Sequence, residues 1–346
     1  MDYSRKPFIV TEEQVKSVLS WPLVTEAVEQ ALRSACRAKP TRDLPFSSQP
    51  PRSLTFVKGK QGVLLTMPGY VGNYILNGQI RNTCACKVVT AFKKNETRRP
   101  PIPNILAHIL LFNITTGRLE VVMEATEITA MRTAAASLVA TKFLYFCKPR
   151  VNDNNSVIVS ILGCGVQGRI HAIGFANYFK KISEIRLWNK TFFKAESLAR
   201  ELEGRRAEFL NKNIKIIISH TVGGCVIGAD IIVTATFASR PFLHLNMVKS
   251  TAHINAIGAG VNHHSELSEE LYLKSKVYID HWGTARTELK ELKAEIVGEM
   301  GEVIDGIKPI KAGITVFQSM GMASEDATVA EAVYKALIRR SNFTKI

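Results

Sequence analysis

Nowhere in this chain of 346 residues does an apolar run approach the length of a membrane span. Such a span needs about 20 residues, and Ile105–Phe112 is only strand-length. Cysteine is sparse and unpatterned. Cys36, Cys84, Cys86, Cys147, Cys164 and Cys225 lack framework spacing, and no second Cys/His pair answers Cys84-x-Cys86 as half of a metal site. Met1-Asp-Tyr-Ser-Arg-Lys-Pro has no apolar signal-peptide core, so a reducing, cytoplasmic location is expected. Acidic residues number 30 against 45 basic ones, a net charge of +15. The basic residues are dispersed, and neither a nucleic-acid motif nor an aromatic-interleaved platform accompanies them. Neither nucleic acid nor a membrane is therefore the expected partner; small anionic molecules are. No internal repeat is present, and 46% apolar residues over this length suffice for two domains.

What the chain does have is Ser156-Val-Ile-Val-Ser-Ile-Leu-Gly-Cys-Gly-Val-Gln-Gly168. A β-branched run stops at Gly163, and Gly165 and Gly168 complete G-x-G-x-x-G ahead of a helical stretch from Val166. Each glycine has its own task. Gly163 permits the tight turn, Gly165 lets backbone approach a pyrophosphate, and Gly168 allows close helix–strand packing. The helix start, with Val166 and Gln167, offers unpaired N–H groups to the phosphates. The order strand, turn, helix is that of a dinucleotide site. An NAD-selective site places Asp or Glu at the tip of the second strand. Here that tip, after Glu184-Ile-Arg-Leu-Trp188, reads Asn189-Lys190-Thr191 and has no carboxylate. Lys190 with Asn189 and Thr191 can hold a 2′-phosphate, so NADP(H) is expected, with NADPH preferred over NADH. A plain solvated turn lysine is the alternative.

The surrounding pattern is βαβ. Ser156–Leu162, Ile185–Trp188, Ile214–Ser219, Ile231–Ala235, His253–Gly258 and Val277–Asp280 are expected strands, with helices at Val166–Lys180 and Phe193–Glu203. Ahead of this, one helix is expected over Glu12–Lys39, then strands within Gln49–Ala91 and Ile105–Met123, interrupted by turns at Lys58–Gly62 and Thr115–Gly117. A long helix, Glu127 to Phe146, leads into the second half, with a linker-like patch at Lys148–Asn155. The segment from Thr315 lies beyond the sheet pattern and ends in a helix, Ser324–Arg340. The expected fold class is α/β: a Rossmann-type doubly wound parallel sheet plus an α+β substrate/dimerisation domain built from the N-terminal segment and the C-terminal helix. The expected boundaries are 1–130 with 314–346 for the latter, and 131–313 for the former.

Three cations stand out. Arg132 opens a run of small residues, Met131-Arg-Thr-Ala-Ala-Ala-Ser137, where it can meet a carboxylate or phosphate bidentately or lie on the helix surface. Lys87 sits in the apolar strand Cys84-Ala-Cys-Lys-Val-Val-Thr90, and the pattern alone points it to solvent. Arg52, in Pro50-Pro-Arg-Ser, is ambiguous by itself.

Several stretches match a known family in order. They are Ile128-Thr-Ala-Met-Arg-Thr-Ala-Ala-Ala-Ser137, Ala140-Thr-Lys-Phe-Leu144, Ile161-Leu-Gly-Cys-Gly-Val-Gln167 and Ile185-Arg-Leu-Trp-Asn-Lys-Thr191. Ala252-His-Ile-Asn-Ala-Ile-Gly258, Thr315-Val-Phe-Gln-Ser-Met-Gly-Met-Ala323 and Glu325-Asp326 follow. The chain resembles the ornithine cyclodeaminase/mu-crystallin family, on its ketimine-reductase branch. The resemblance implies a homodimer and an NADPH-dependent reduction of cyclic or linear imino carboxylates. It implies that Arg52, Lys87 and Arg132 form a basic substrate site for an imino or keto acid, Lys87 as the catalytic residue, Arg132 also near the cofactor. It implies further that Thr236 and Ser319 line the cofactor.

Two departures bear on the reaction. Cyclodeaminases carry a catalytic aspartate where this chain has Gly260, so ornithine cyclisation lacks its general base. The following loop, Val261-Asn-His-His264, lacks the usual proline, and Pro103-Asn104-Ile105 replaces Pro-Ser/Thr-His. His263 or His264 is a candidate proton donor or a solvated bystander. The rival expectations are an alanine dehydrogenase or cyclodeaminase, and a non-catalytic NADPH-dependent thyroid-hormone-binding protein.

Overall fold

The computed structural model describes residues 6–36, 44–57, 62–92, 94–148, 156–258 and 262–340. Two compact units are present: Met1–Arg132 with Gly321–Ile346, and Thr133–Met320. The first begins with β1 (Phe8–Val10), α1 (Glu12–Val18), α2 (Trp21–Ala35), β2 (Phe46–Ser48), β3 (Ser53–Val57), β4 (Gly62–Leu76) and β5 (Gln79–Phe92). β6 (Ile105–Phe112), β7 (Leu119–Glu124) and the start of α3 (Thr126–Thr141) follow. Its strands form a mixed seven-stranded sheet, ordered β1-β7-β6-β5-β4-β2 with β3 also on β4. β4 turns into β5 through Asn77-Gly78, both at positive φ (49° and 70°), the preferred chemistry for a two-residue hairpin loop.

The single early helix expected from Glu12 is two. Leu19 turns extended (ψ 131°), Ser20 caps α2 by accepting from Leu23 N–H, and Pro22 occupies its first turn. A proline has no N–H for a continuing helix, so the chain restarts there. α3 continues into a π-helical turn, Lys142–Phe146, and the unit boundary falls between Arg132 and Thr133.

The second unit holds β8 (Val157–Leu162), α4 (Val166–Tyr178), β9 (Ile182–Trp188), α5 (Phe192–Gly204), β10 (Lys215–Ile218) and α6 (Val222–Val226). Next come β11 (Ile231–Thr234), β12 (His253–Ala256), α7 (Glu269–Lys274), β13 (Lys276–Ile279), α8 (Trp282–Glu288), β14 (Glu295–Glu299), α9 (Met300–Ile304) and β15 (Thr315–Gln318). All pairings in this eight-stranded sheet are parallel, in the order β10-β9-β8-β11-β12-β15-β13-β14. The order reverses at β8, where a doubly wound sheet opens a crevice for a ligand. Helix α10 (Ala323–Arg340) returns to the first unit and packs on α2, β4 and β5.

One expectation is corrected here. The segment from Thr315, read as lying beyond the sheet, supplies β15, a strand between β12 and β13. All four of its residues are buried. Its apolar run is only Val316-Phe317, between Thr315 and Gln318, too short to mark a strand. Residues 58–61 of the expected Lys58–Gly62 turn and residues 149–155 of the expected linker lie outside the described residues. No described helix is long and apolar enough to cross a membrane.

Candidate functional site

The glycine loop in the second unit is built from backbone. β8 delivers the chain to Gly163, whose φ of +106° a side chain would resist; a Cβ there would lie 2.5 Å from the Ala235 carbonyl oxygen. At Gly168 a Cβ would lie 1.7 Å from the Gly163 oxygen, so the helix can approach the turn only with hydrogen in that place. Gly165 differs. A Cβ there meets nothing within 4 Å, and Gly165 is the N-cap of α4 without a side chain to satisfy the first-turn N–H groups. Those donors, on Val166, Gln167 and Gly168, fit an anionic phosphate. The adjoining side-chain amide of Gln167 has a buried oxygen with no hydrogen-bond partner among the described residues.

The tip of β9 is tied to this loop. Asn189 Oδ1 accepts from Cys164 N–H at 2.9 Å, and Asn189 Nδ2 donates to the Thr191 carbonyl at 2.9 Å. Both ends of the amide are thus engaged internally. Asn189 braces the turn, and the exposed Lys190 and Thr191 are the groups presented outward. Thr191 also starts α5 with no side-chain cap bond. Burial pushes the Cys164 thiol up to about 12, so it stays protonated and unreactive within the loop.

The first unit contains a different construction. Lys87 is only 2% exposed, against the solvent-facing orientation expected from its strand. Its Nζ lies 2.9 Å and 2.8 Å from the two carboxylate oxygens of Asp326. Arg132, 6% exposed, donates from Nε to Asp326 Oδ1 at 3.1 Å and from Nη1 to Glu325 Oε2 at 2.8 Å. Both carboxylates sit in the first turn of α10, where the helix dipole favours negative charge. Arg52 Nη2 donates to the Gly321 carbonyl at 3.2 Å. Gly321 has φ +79°, and a Cβ there would lie 2.7 Å from Arg132 Nη1. Gln49 accepts from Ser324 N–H at 3.0 Å, fixing the same turn.

Arg52, Lys87 and Arg132, distant in sequence, therefore converge on one helix start. They do not form a purely cationic pocket. Two buried cations face two buried carboxylates, so Lys87 and Arg132 are held without a net excess of charge. Burial lowers the Lys87 pKa to about 8; Arg132 acts in the same direction and Asp326 opposes both. An ammonium of that pKa can exchange a proton near neutral pH.

In the second unit, Thr236 donates from both N–H and hydroxyl to Glu266, and Ser319 N–H donates to the Ala256 carbonyl. His263 Nε2 lies 2.6 Å from Glu288, and His264 is half-buried, its pKa lowered chiefly by burial. Gly260 lies outside the described residues. Sequence reasoning gave no role to Glu325, Asp326 or Glu266. For the first two a signal existed: adjacent carboxylates directly ahead of the small and apolar run Ala327-Thr-Val-Ala330.

Comparison with known proteins agrees with this architecture. The profile of the ornithine cyclodeaminase/mu-crystallin family matches residues 5–341. The ketimine reductase mu-crystallin of Rattus norvegicus is 36% identical over 290 residues, covering 83% of this chain and 84% of that protein. Its counterpart in Macropus fuliginosus is 35% identical over 343 residues, covering 96% and 98%. Among solved structures, the Thermococcus litoralis Δ1-pyrroline-2-carboxylate reductase in complex with NADH and L-proline superposes with a TM-score of 0.78 at 28% identity, covering 96% of this chain and 98% of that one. A glycine loop on a doubly wound sheet, a helix that returns from it to the first unit, and whole-length similarity lead to one assignment: the chain belongs to the ornithine cyclodeaminase/mu-crystallin family.

Proposed function

We propose that this chain is an NADPH-dependent reductase of ketimine carboxylates, cyclic or linear, that yields amino acids. The observation that carries the proposal is the buried Lys87 ammonium, paired with Asp326, whose carboxylate also accepts from Arg132. Ketimine reductase relatives and the reductase solved with NADH and L-proline support the reaction class. When bound, the reduced nicotinamide supplies a hydride to the C=N carbon. The protein's own groups do the rest. The first-turn N–H groups of α4 bind the pyrophosphate, and Lys190 with Thr191 receives the 2′-phosphate. Arg52 and Arg132 anchor and orient the substrate carboxylate. Lys87 adds to that anchoring and holds at Nζ the proton destined for the imine nitrogen. Thr236 and Ser319 line the cofactor. The reading includes a homodimer, for which exposed Leu54, Phe56, Ile105 and Leu106 on the first-unit sheet offer apolar surface.

The test is the initial rate of NADPH oxidation with a six-membered cyclic ketimine carboxylate, with NADH in parallel. Turnover with NADPH preferred is the expected result. Tight NADPH binding without turnover on any imine would move the assignment to a binding protein, to be probed with iodothyronines. Ammonia release from ornithine without net cofactor consumption would move it to a cyclodeaminase.

A further inference from the structure

One buried carboxylate ties together the loops that leave two central strands of the parallel sheet. Glu266 is 1% exposed. Its Oε1 accepts from Thr236 N–H at 2.7 Å and from the Thr236 hydroxyl at 2.6 Å, and its Oε2 accepts from Gly258 N–H at 3.0 Å. Thr236 lies just past the end of β11, and Gly258 just past the end of β12. The Glu266 carbonyl is engaged as well, accepting from Phe242 and Leu243 N–H at 2.9 Å and 3.1 Å. Residue 266 is thus fixed by main chain and side chain together. Among the described residues no cation pairs with it; three N–H and O–H donors hold the group instead. Burial pushes its pKa up while those donors pull it down.

The packing leaves no slack. A Cβ on Gly258 would lie 2.1 Å from the Glu266 carboxyl group. A Cβ on Gly163 would lie 2.9 Å from Thr236 Cγ2, so the loop held by Glu266 is the wall against which the first glycine of the nucleotide loop is pressed. In a doubly wound sheet the two mononucleotide halves of a dinucleotide lie on opposite sides of the reversal point. β9 and β10 occupy one side of β8, with Lys190; β11 and β12 occupy the other, with Thr236 and Gly258.

We propose that Glu266 is a positioning residue for the nicotinamide half of the cofactor, acting through Thr236 and Gly258 without touching the cofactor itself. The proposal rests on the cofactor reading given above. In Glu266→Gln the side-chain shape is kept, but one acceptor becomes an NH2 donor. Either Thr236 or Gly258 then faces a donor and must move. The start of α4 and the Lys190 turn, on the adenosine side, keep their own bonds.

The experiment titrates the native full-length chain, Glu266→Gln and Thr236→Val with NADPH and with 2′,5′-ADP, which carries only the adenosine half and its 2′-phosphate. Should the native chain prefer NADH, NADH and 5′-ADP take their places. The expected result is about tenfold weaker binding of the dinucleotide in Glu266→Gln, the loss of one charge-assisted bond. The half-cofactor should bind within about twofold of native, since its contacts are untouched. Thr236→Val should show the same split with a smaller loss, and it carries the test alone if Glu266→Gln does not fold. Equal weakening of both ligands means a general structural role and overturns the proposal, as does unchanged dinucleotide binding in both variants. A native chain that binds neither NADPH nor NADH overturns the cofactor reading and this proposal with it.

Discussion

On the proposed reading, the glycine loop after β8 and the charged cluster at the start of α10 are two answers to holding an anionic ligand, one built from backbone and the other from side chains. The loop spans residues 163–168 and works through backbone N–H groups, so its chemistry depends on side chains being absent. The cluster works through side chains, and its key contact joins Lys87 to Asp326, 239 positions apart. One depends on a local conformation. The other exists only once a sheet and a returning helix have met within the first unit. What the difference teaches is that the two sites should fail in different ways.

The largest effect is expected in the cluster. Asp326→Asn leaves Lys87 and Arg132 buried with half of their counter-charge. Breaking a buried pair by removing one partner costs about 3–5 kcal/mol, and urea unfolding of native and variant protein measures it. A loss below about 1 kcal/mol would mean that the cluster is relaxed by solvent and is not the tightly coupled unit its geometry describes.

The glycine loop divides more finely. Gly168→Ala forces a methyl group into the Gly163 carbonyl, an overpacking cost of about 1–3 kcal/mol, with cofactor binding lost as the turn opens. Gly165→Ala meets open space, so stability should stay within about 0.5 kcal/mol of native. Its methyl would nonetheless stand where the phosphates approach, and NADPH affinity should fall about tenfold through loss of a charge-assisted bond. Thermal melts and NADPH titrations on the same two proteins separate the roles. Equal melting temperatures for both variants would erase the distinction.

A pH series sharpens the contrast, because only the cluster titrates near neutrality. If Lys87 supplies the proton, turnover should decline as pH rises through about 8, where the buried ammonium loses it. The stability effect runs the other way. The folded pKa of about 8 lies below the ordinary 10.5, so between those values the unfolded chain binds more protons and stability rises with pH. Asp326→Asn removes the group that opposes the downward shift, and the alkaline limb of the rate profile should move to lower pH. A limb that stays in place in that variant would assign it to another group.

These expectations track what local sequence can and cannot carry. Gly163, Gly165 and Gly168 were legible by their spacing, and the structure itself demands glycine at Gly163 for the turn and at Gly168 for close packing. β8, β9, β11, β12 and both long helices of the second unit were legible as an alternation of short apolar runs and longer segments around the glycine loop. β15 was not, since Val316 and Phe317 are its only apolar residues and stand between Thr315 and Gln318. Lys87 was misread by strand pattern because its partner lies on α10, and burial of a lysine is decided by the partner rather than by its neighbours in sequence. Only the family resemblance brought Arg52, Lys87 and Arg132 together, and even it did not supply Glu325 and Asp326 with a role. For Asn189 the place at the strand tip was visible, while its bracing bond from Cys164 N–H was not.

The smallest effect is at Lys190, where the two kinds of site overlap: a side chain whose position is set by a local turn. Lys190 is exposed, so Lys190→Ala should leave stability within about 0.5 kcal/mol. If it meets the 2′-phosphate, NADPH should bind about tenfold more weakly while NADH, which lacks that group, is unaffected. Lys190→Arg should keep the preference and strengthen it a few-fold, because a planar fork matches a phosphate better than a point charge does. Lys190→Glu should invert the preference by repelling the phosphate and accepting from a ribose hydroxyl. Parallel titrations with both cofactors decide the matter. A uniform response of NADPH and NADH to all three substitutions would return Lys190 to the class of ordinary turn lysines, and selectivity would then have to arise from Thr191 and the start of α5.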